Sequence, residues 1–385
     1  MEELPGPAMI FPGLFCSGLV AHPWLNDSEI LLSSLCRSKQ LILKVDVQTH
    51  LLQIFDPFLS DHVEATSGDP HHSLSVSDVW SPYVLFTRSS FSAPPAAFLS
   101  SYHDGVVSWT SRLTPHQPAP CDGAKTQLLT FTPSGQSSSL QSDSFEAFLV
   151  TSPSSAPSSS LIVLPHGGPH GTFVPYFSVT LMTFLLSGYD LFFVNYRGSL
   201  GFGQRSVESL PGFVGINDVA DVYQATQQVQ SAYKSLFVHG GSHGGFLAGH
   251  LVGQYPDLFK AACLRNPVIN IASMVSGSDI RDWCFAEACG LDAQSHSLQT
   301  LEHVQKMHTC SPIAHAHRVK TPCLIFIGQE DQRVPSYQGV EFHFVLKSQG
   351  VPTRLISYAD SHALTKVPHD FDAAINALEW FTTHQ

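Results

Sequence analysis

Gly240-Gly241-Ser242-His243-Gly244-Gly245 lies between an apolar run, Leu236-Phe237-Val238, and an amphipathic segment from Phe246 to Tyr255. The spacing is G-x-S-x-G, the form of a nucleophile elbow, with a strand expected before it and a helix after it. A serine hydroxyl is a weak nucleophile until a base takes its proton and the backbone exposes it. A tight strand-to-helix turn does the second job. Gly240 and Gly244 remove side chains where that turn crowds, and Gly241 and Gly245 add slack. The N–H of His243, the residue after the serine, then points toward a developing oxyanion. A glycine-rich turn with an incidental serine shares the pattern, but has no need of both flanks.

The region around the elbow alternates. Strands are expected at Leu161–Leu164, Leu191–Val194, Cys323–Ile327 and Arg354–Tyr358, and helices over Phe177–Ser187, Asn217–Val229, Tyr337–Lys347 and Phe371–Phe381. Apolar strands alternating with longer helices predict an α/β fold: a parallel sheet covered on both faces, with chemistry at the carboxyl ends of its strands.

A serine at such an elbow needs a base, and the base needs an orienting acid. In an α/β-hydrolase these follow in the order Ser, Asp or Glu, His. The loop after the Cys323 strand reads Gly328-Gln329-Glu330-Asp331-Gln332-Arg333-Val334-Pro335. Asp331 is the candidate acid, with Glu330 as an adjacent competitor. A turn or cap role is the ordinary alternative for Asp331. The loop after the Arg354 strand reads Ala359-Asp360-Ser361-His362-Ala363-Leu364, where His362 is the candidate base and Asp360 shapes the loop. Pro165-His166-Gly167-Gly168-Pro169-His170-Gly171 follows the Leu161 strand, where the fold draws its second oxyanion donor. Gly167 and Gly168 are the candidates, Gly168 first. Asn195-Tyr196-Arg197-Gly198-Ser199 with Gly201-Phe202-Gly203 lacks the dinucleotide-binding pattern and reads as scaffold beside the site.

The front of the chain differs. Leu41–Val47, Tyr83–Arg88 and Ala96–Tyr102 read as short strands, Leu51–Phe55 as another, separated by turns such as Ser67-Gly68-Asp69-Pro70 and His103-Asp104-Gly105. The spacing suits propeller blades, against an irregular sandwich. A Ser/Thr/Gln/Pro-rich stretch over 123–160, with Phe145–Val150 as a strand inside it, marks the change. The expected division is 1–130, a partial β-propeller, and 131–385, an α/β-hydrolase domain.

Composition narrows the partners. At 385 residues the chain exceeds the usual single core. A net charge of −12 without a long Lys/Arg run argues against nucleic acid and against an anionic membrane. The eight cysteines show neither C-x-x-C nor zinc spacing, so they read as thiols of a reducing compartment, and no cofactor or metal is expected. An acidic head and Pro12 argue against a signal peptide, and no run is long enough to span a bilayer.

Taken together, His166-Gly167-Gly168-Pro169-His170, Asn195 to Ser199, Gly241 to Gly245, Arg265-Asn266-Pro267-Val268, Gly328 to Pro335 and Ser361-His362-Ala363-Leu364 resemble the prolyl oligopeptidase family of serine peptidases over nearly all of 145–385. The resemblance implies a triad of Ser242, Asp331 and His362, and so chooses Asp331 over Glu330. It implies release of an N-acylated, typically N-acetylated, amino acid from short peptides by a cytoplasmic enzyme able to form homo-oligomers. It also implies a seven-bladed propeller in front, which at about 40–45 residues per blade needs roughly 300 residues. About 130 suit only the last two or three blades, so an N-terminally shortened form is expected. Arg281, on the expected substrate side, is a candidate contact for a peptide carbonyl or carboxylate, against the ordinary reading of a surface arginine. Two rival functions share these residues: a carboxylesterase, and an inactive remnant serving as an interaction module.

Overall fold

Along Leu161-Ile162-Val163-Leu164 every side chain is buried, yet alternate residues enter different cores. Leu161 and Val163 join one apolar cluster, Ile162 and Leu164 another. A strand that buries both faces is central to a sheet with helices on each side.

The structure, a computed structural model, describes residues 13–58, 71–103, 106–115, 121, 123–134, 144–153, 158–291 and 298–385. The expected turn at Ser67–Pro70, and Asp104-Gly105 of the other, lie outside the described residues. The front carries β1 (Glu29–Cys36), β2 (Lys39–Asp46), β3 (Leu52–Ile54), β4 (Ser73–Trp80), β5 (Tyr83–Ser89), β6 (Ala96–His103) and β7 (Val106–Arg112). The large sheet then uses β8 (Lys125–Phe131), β9 (Phe145–Thr151), β10 (Ser160–Pro165), β11 (Asp190–Asn195), β12 (Ser235–Gly241), β13 (Ala261–Arg265), β14 (Cys323–Gly328) and β15 (Thr353–Tyr358). Its helices are α1 (Val179–Leu186), α2 (Gln204–Glu208), α3 (Asn217–Val229), α4 (His243–Gln254), α5 (Ile271–Met274), α6 (Arg281–Cys289), α7 (Leu301–Thr309), α8 (Tyr337–Ser348) and α9 (Val367–Thr383).

The eight strands run in the order β15-β14-β13-β12-β10-β11-β9-β8. Pairing is parallel from β15 to β11 and antiparallel at β11–β9 and β9–β8. β8 crosses residue 130 and pairs with β9 along its length, from Lys125↔Thr151 to Phe131↔Phe145. One face is covered by α1 and α9, which contribute Met182, Phe184, Ala377 and Phe381. The other is covered by α3, α4 and α8, which contribute Val222, Phe246, Leu251 and Phe342. Among the described residues no helix is long and apolar enough to cross a membrane.

The front is two antiparallel meanders, β1-β2-β3 and β4-β5-β6-β7, the partial propeller anticipated from the strand spacing. They share a core of Leu31, Ile42, Val84, Phe86 and Phe98, with Phe86 stacked on Phe98 at 5.5 Å. The front also grips the large sheet. Phe91 stacks on Phe193 of β11 at 4.6 Å. At the β1–β2 turn, Arg37 Nε donates to Glu146 Oε1 of β9 at 2.6 Å, and Arg37 N donates to Gly201 O at 2.7 Å. Asn195 Nδ2 at the end of β11 donates to Ser38 Oγ at 2.9 Å. Gly201 has φ +87° and lies so close that a Cβ would come 2.5 Å from the Arg37 carbonyl oxygen.

Candidate active site

Ser242 sits between β12 and α4 with φ 58° and ψ −121°. This left-handed backbone is costly for a side-chain-bearing residue and recurs where a nucleophile must be lifted from a turn. The flanking glycines have steric reasons. A Cβ on Gly240 would overlap the Gly244 carbonyl, and one on Gly244 would overlap the Pro165 carbonyl. Ser242 N donates to Arg265 O at 2.9 Å, which ties the turn to β13.

His362, in the loop after β15, directs Nδ1–H to Asp331 Oδ2 at 2.6 Å. The other oxygen, Oδ1, accepts the backbone N–H groups of Arg333 and Val334, both at 2.9 Å. The Asp331 side chain is fully buried while the His362 side chain is 29% exposed, so the imidazole reaches outward from a fixed carboxylate. Glu330 is exposed and donates its N–H to Asp360 O at 3.0 Å. The carboxylate on His362 is therefore that of Asp331. Asp360 orders its own loop, accepting Ser361 N at 2.8 Å, Lys366 N at 3.1 Å and His369 Nδ1 at 2.9 Å.

Sequence reasoning missed the supports of His362. Asn266, at φ 42°, donates Nδ2–H to His362 O at 2.7 Å and accepts Gly328 N at 2.7 Å. Arg265 reaches Leu364 O at 2.7 Å and Asp370 Oδ1 at 3.0 Å. The Arg265-Asn266 pair was visible as a motif, but its target lies almost a hundred residues away in sequence.

The glycine loop after β10 lies against the elbow. A Cβ on Gly167 would come 3.2 Å from Gly241 O and 3.4 Å from Ser242 Cβ, so Gly167 is the glycine alongside the serine. Gly168 has φ +126°, a conformation that a Cβ would strain against His170 N at 2.6 Å. The residues read as scaffold brace this loop. Tyr196 stacks on His166 at 4.3 Å and its hydroxyl donates to His166 O at 2.9 Å. His166 Nδ1 is 2.8 Å from Gly167 O, which only accepts, so Nδ1 carries the proton. Nε2 lies 2.7 Å from Ser199 Oγ, whose hydroxyl donates to Tyr196 O at 2.6 Å. Burial pulls the His166 pKa down to about 3, and the ring is neutral. Arg197 is buried in a two-pronged bond to Asp221 of α3, Nε–Oδ2 2.8 Å and Nη2–Oδ1 2.7 Å.

The His243 ring is fixed under the elbow. Its Nε2–H meets Asp218 Oδ2 at 2.8 Å, with both side chains fully buried. Asp218 Oδ1 accepts Gly215 N at 2.8 Å and Val219 N at 2.9 Å. The backbone N–H of His243 thus stands at the first position of a held helix. Beyond the glycine loop, His170 Nε2 is 3.1 Å from Glu287 Oε1 and its Nδ1 is 2.8 Å from Gly198 O. Arg281 is exposed at the start of α6. The cation in the Asp331 loop is Arg333, paired with Asp279 at 2.7 Å. All eight cysteines are free thiols, and among the described residues no cluster of three or more His, Cys, Asp or Glu forms a metal site.

This sheet order, with a serine at a strained strand–helix elbow and an Asp–His pair on later loops, defines an α/β-hydrolase. Residues 175–385 match the profile described as "Prolyl oligopeptidase family", and 5–64 match "Acylamino-acid-releasing enzyme, N-terminal domain". The chain belongs to the prolyl oligopeptidase family. It is 38% identical to the acylamino-acid-releasing enzymes of Sus scrofa and Homo sapiens, each match covering 97% of this chain and 51% of the relative. The Arabidopsis thaliana enzyme of that name is 35% identical over 97% of this chain and 50% of its own length. The chain thus spans about half the length of the curated relatives it matches. Its fold is similar to that of the acylaminoacyl peptidase of Pyrococcus horikoshii, with TM-score 0.74 at 18% identity over 94% of this chain and 55% of that one. A Mycobacterium tuberculosis puromycin-hydrolyzing peptidase gives TM-score 0.74 at 19% identity over 95% and 54%.

Proposed function

We propose that this chain is a serine hydrolase that releases an N-acylated, typically N-acetylated, amino acid from the N-terminus of short peptides. Ser242 is the nucleophile, His362 the base and Asp331 the orienting acid. The observation that carries this reading is the 2.6 Å Asp331–His362 hydrogen bond, on loops that leave the same ends of the parallel strands as the elbow. The names of the 38% identical relatives support the substrate class.

His362 takes the Ser242 proton as Oγ attacks the carbonyl of the acylated residue. The N–H of His243 and one from Gly167 or Gly168 hold the oxyanion. His362 then protonates the departing amine, and water releases the acyl-amino acid by the reverse path. Asp331 stays ionised throughout and keeps the imidazole in the Nδ1–H tautomer. Arg281 belongs to the substrate side as a contact for a peptide carbonyl or carboxylate. A division near residue 130 into a partial propeller and a hydrolase unit, drawn before β8 so that this strand stays with the large sheet, goes with this reading, as do a cytoplasmic setting and assembly into homo-oligomers.

The test is release of N-acetyl-alanine from a short acetylated peptide by monodisperse protein, with Ser242→Ala as control. Release that disappears in the variant is expected. Folded protein that releases nothing overturns the assignment, and hydrolysis confined to acyl esters points instead to an esterase.

A further inference from the structure

We propose that His170 is a positioning residue of the oxyanion loop, working as an imidazolium clamped between Glu287 and the Gly198 carbonyl. This deepens the hydrolase reading above and rests on it. Both ring nitrogens face acceptors. The Gly198 carbonyl can only accept at 2.8 Å, and an ionised Glu287 can only accept at 3.1 Å. Meeting both requires two N–H groups and therefore the charged ring. The Glu287 side chain is 7% exposed, and among the described residues its Oε2 has no hydrogen-bond partner. Its counter-charge is His170.

The clamp lies two residues beyond Gly168 and joins three segments: the glycine loop, the loop after β11 and α6. Leu200 N donates to Gly171 O at 2.9 Å, next to the Gly198 contact, and Glu287 O accepts Gly212 N at 2.7 Å. Removing the ring charge sets a lone pair against one of two acceptors and frees that side of the loop. The backbone N–H groups of Gly167 and Gly168 then lose a fixed reference to Ser242.

The groups facing His170 are few. Glu287 comes from α6 and His166 from the same glycine loop, while Tyr196 lies within electrostatic reach of Glu287. Burial raises the Tyr196 pKa well above 10 and pulls that of His166 to about 3, so both stay neutral at working pH. Asp218 on α3 is occupied by His243 and two backbone N–H groups. Burial opposes charge on His170, but the Glu287 hydrogen bond and charge outweigh it and raise its pKa above the ordinary value. The clamp is therefore complete below the ordinary histidine value of about 6.5 and is lost as pH rises through the raised one.

The experiment pairs two readouts on the full chain. A fluorophosphonate probe reports the rate of Ser242 labelling against pH without a chosen substrate. Histidine-labelled NMR, with His170→Asn to assign the resonance, reports the His170 titration. In the unsubstituted protein we expect labelling to fall on the alkaline side, in step with a His170 pKa above 6.5. In Glu287→Gln the His170 midpoint and the alkaline fall both move at least one pH unit toward acid, a tenfold weaker hold on the proton. A Glu287→Gln rate lowered by one factor at every pH overturns the proposal, as does a His170 midpoint at or below 6.5 in the unsubstituted protein. The latter measurement decides even where Glu287→Gln does not fold. A folded chain that never labels overturns the hydrolase reading instead, and the His170 titration then decides the clamp by itself.

Discussion

Asp331 divides its two oxygens between two tasks: Oδ1 holds the turn through Arg333 N and Val334 N, and Oδ2 holds His362. Asp331→Asn keeps the turn but offers the imidazole an amide that can stabilise the wrong tautomer. Peptide turnover should fall by about four orders of magnitude in kcat with little change in melting temperature, read by steady-state kinetics beside a thermal melt. Other single residues set the response to acid. Burial holds His166 and His250 neutral, each with its pKa pulled down to about 3, while the unfolded chain binds protons at them near pH 6.5. Their contribution is present above pH 6.5 and is lost as pH falls toward 3. Each should cost about 1.4 kcal/mol per pH unit in that window. Calorimetry between pH 7 and 5 should show a falling Tm, with a shallower slope in His250→Gln; an unchanged slope contradicts this account. The strand-end loops that hold Ser242, Asp331 and His362 were legible in the sequence, whereas the choice of Asp331 over the adjacent Glu330 came only from the family resemblance. Asn266, Tyr196 and Glu287 were not legible, because their partners lie 96, 30 and 117 residues away in the chain.

Among the elements, α3 was legible to the residue, since its polar and apolar positions alternate at helical period and its start follows a glycine turn. β14 and β15 were legible within a residue or two because compact apolar runs lie between turn residues. β13 went unread: Ala261-Ala262-Cys263 are small, carry no β-branched signal and become a strand only by pairing between β12 and β14. β1, β4 and β7 also went unread. The closing helix α9 was underestimated at its start, where Val367-Pro368 gives a first turn with proline at a tolerated position. Its anchor is Phe381, fully buried and 4.9 Å from Phe237 of β12. Phe381→Ala removes that ring from beneath the elbow strand and should cost about 3–5 kcal/mol, read from urea unfolding. A loss under 1 kcal/mol, on the order of a surface change, would show that α9 repacks freely.

At the scale of the molecule, the β1–β2 turn joins the front to the large sheet through one charged side chain. Arg37 is 26% exposed and its partner Glu146 is 6% exposed, and the guanidinium also lies 5.2 Å from the centre of the Phe202 ring. Arg37→Ala leaves Glu146 buried without its cation, at a cost of about 2–4 kcal/mol, toward the lower end for a buried pair because the arginine is partly wet. Hydrogen exchange in β1 and β2 should quicken while the strands around β12 keep their protection. Equal protection in both would mean that the shared apolar contacts, Phe91 among them, suffice. The sequence placed strands in the front but carried no sign of this junction, which joins residues 109 apart. The same long separations bear on how the protein is made. Ser242 and His362 are 120 residues apart, and parallel strands must be joined through crossovers before both loops meet. At about 5–20 residues per second a ribosome delivers the serine some 6–24 s before its base. Until the loop after β15 has emerged and α9 has seated under β12, a nascent chain carries Ser242 as a bare alcohol, without the His362 base that the proposed mechanism requires.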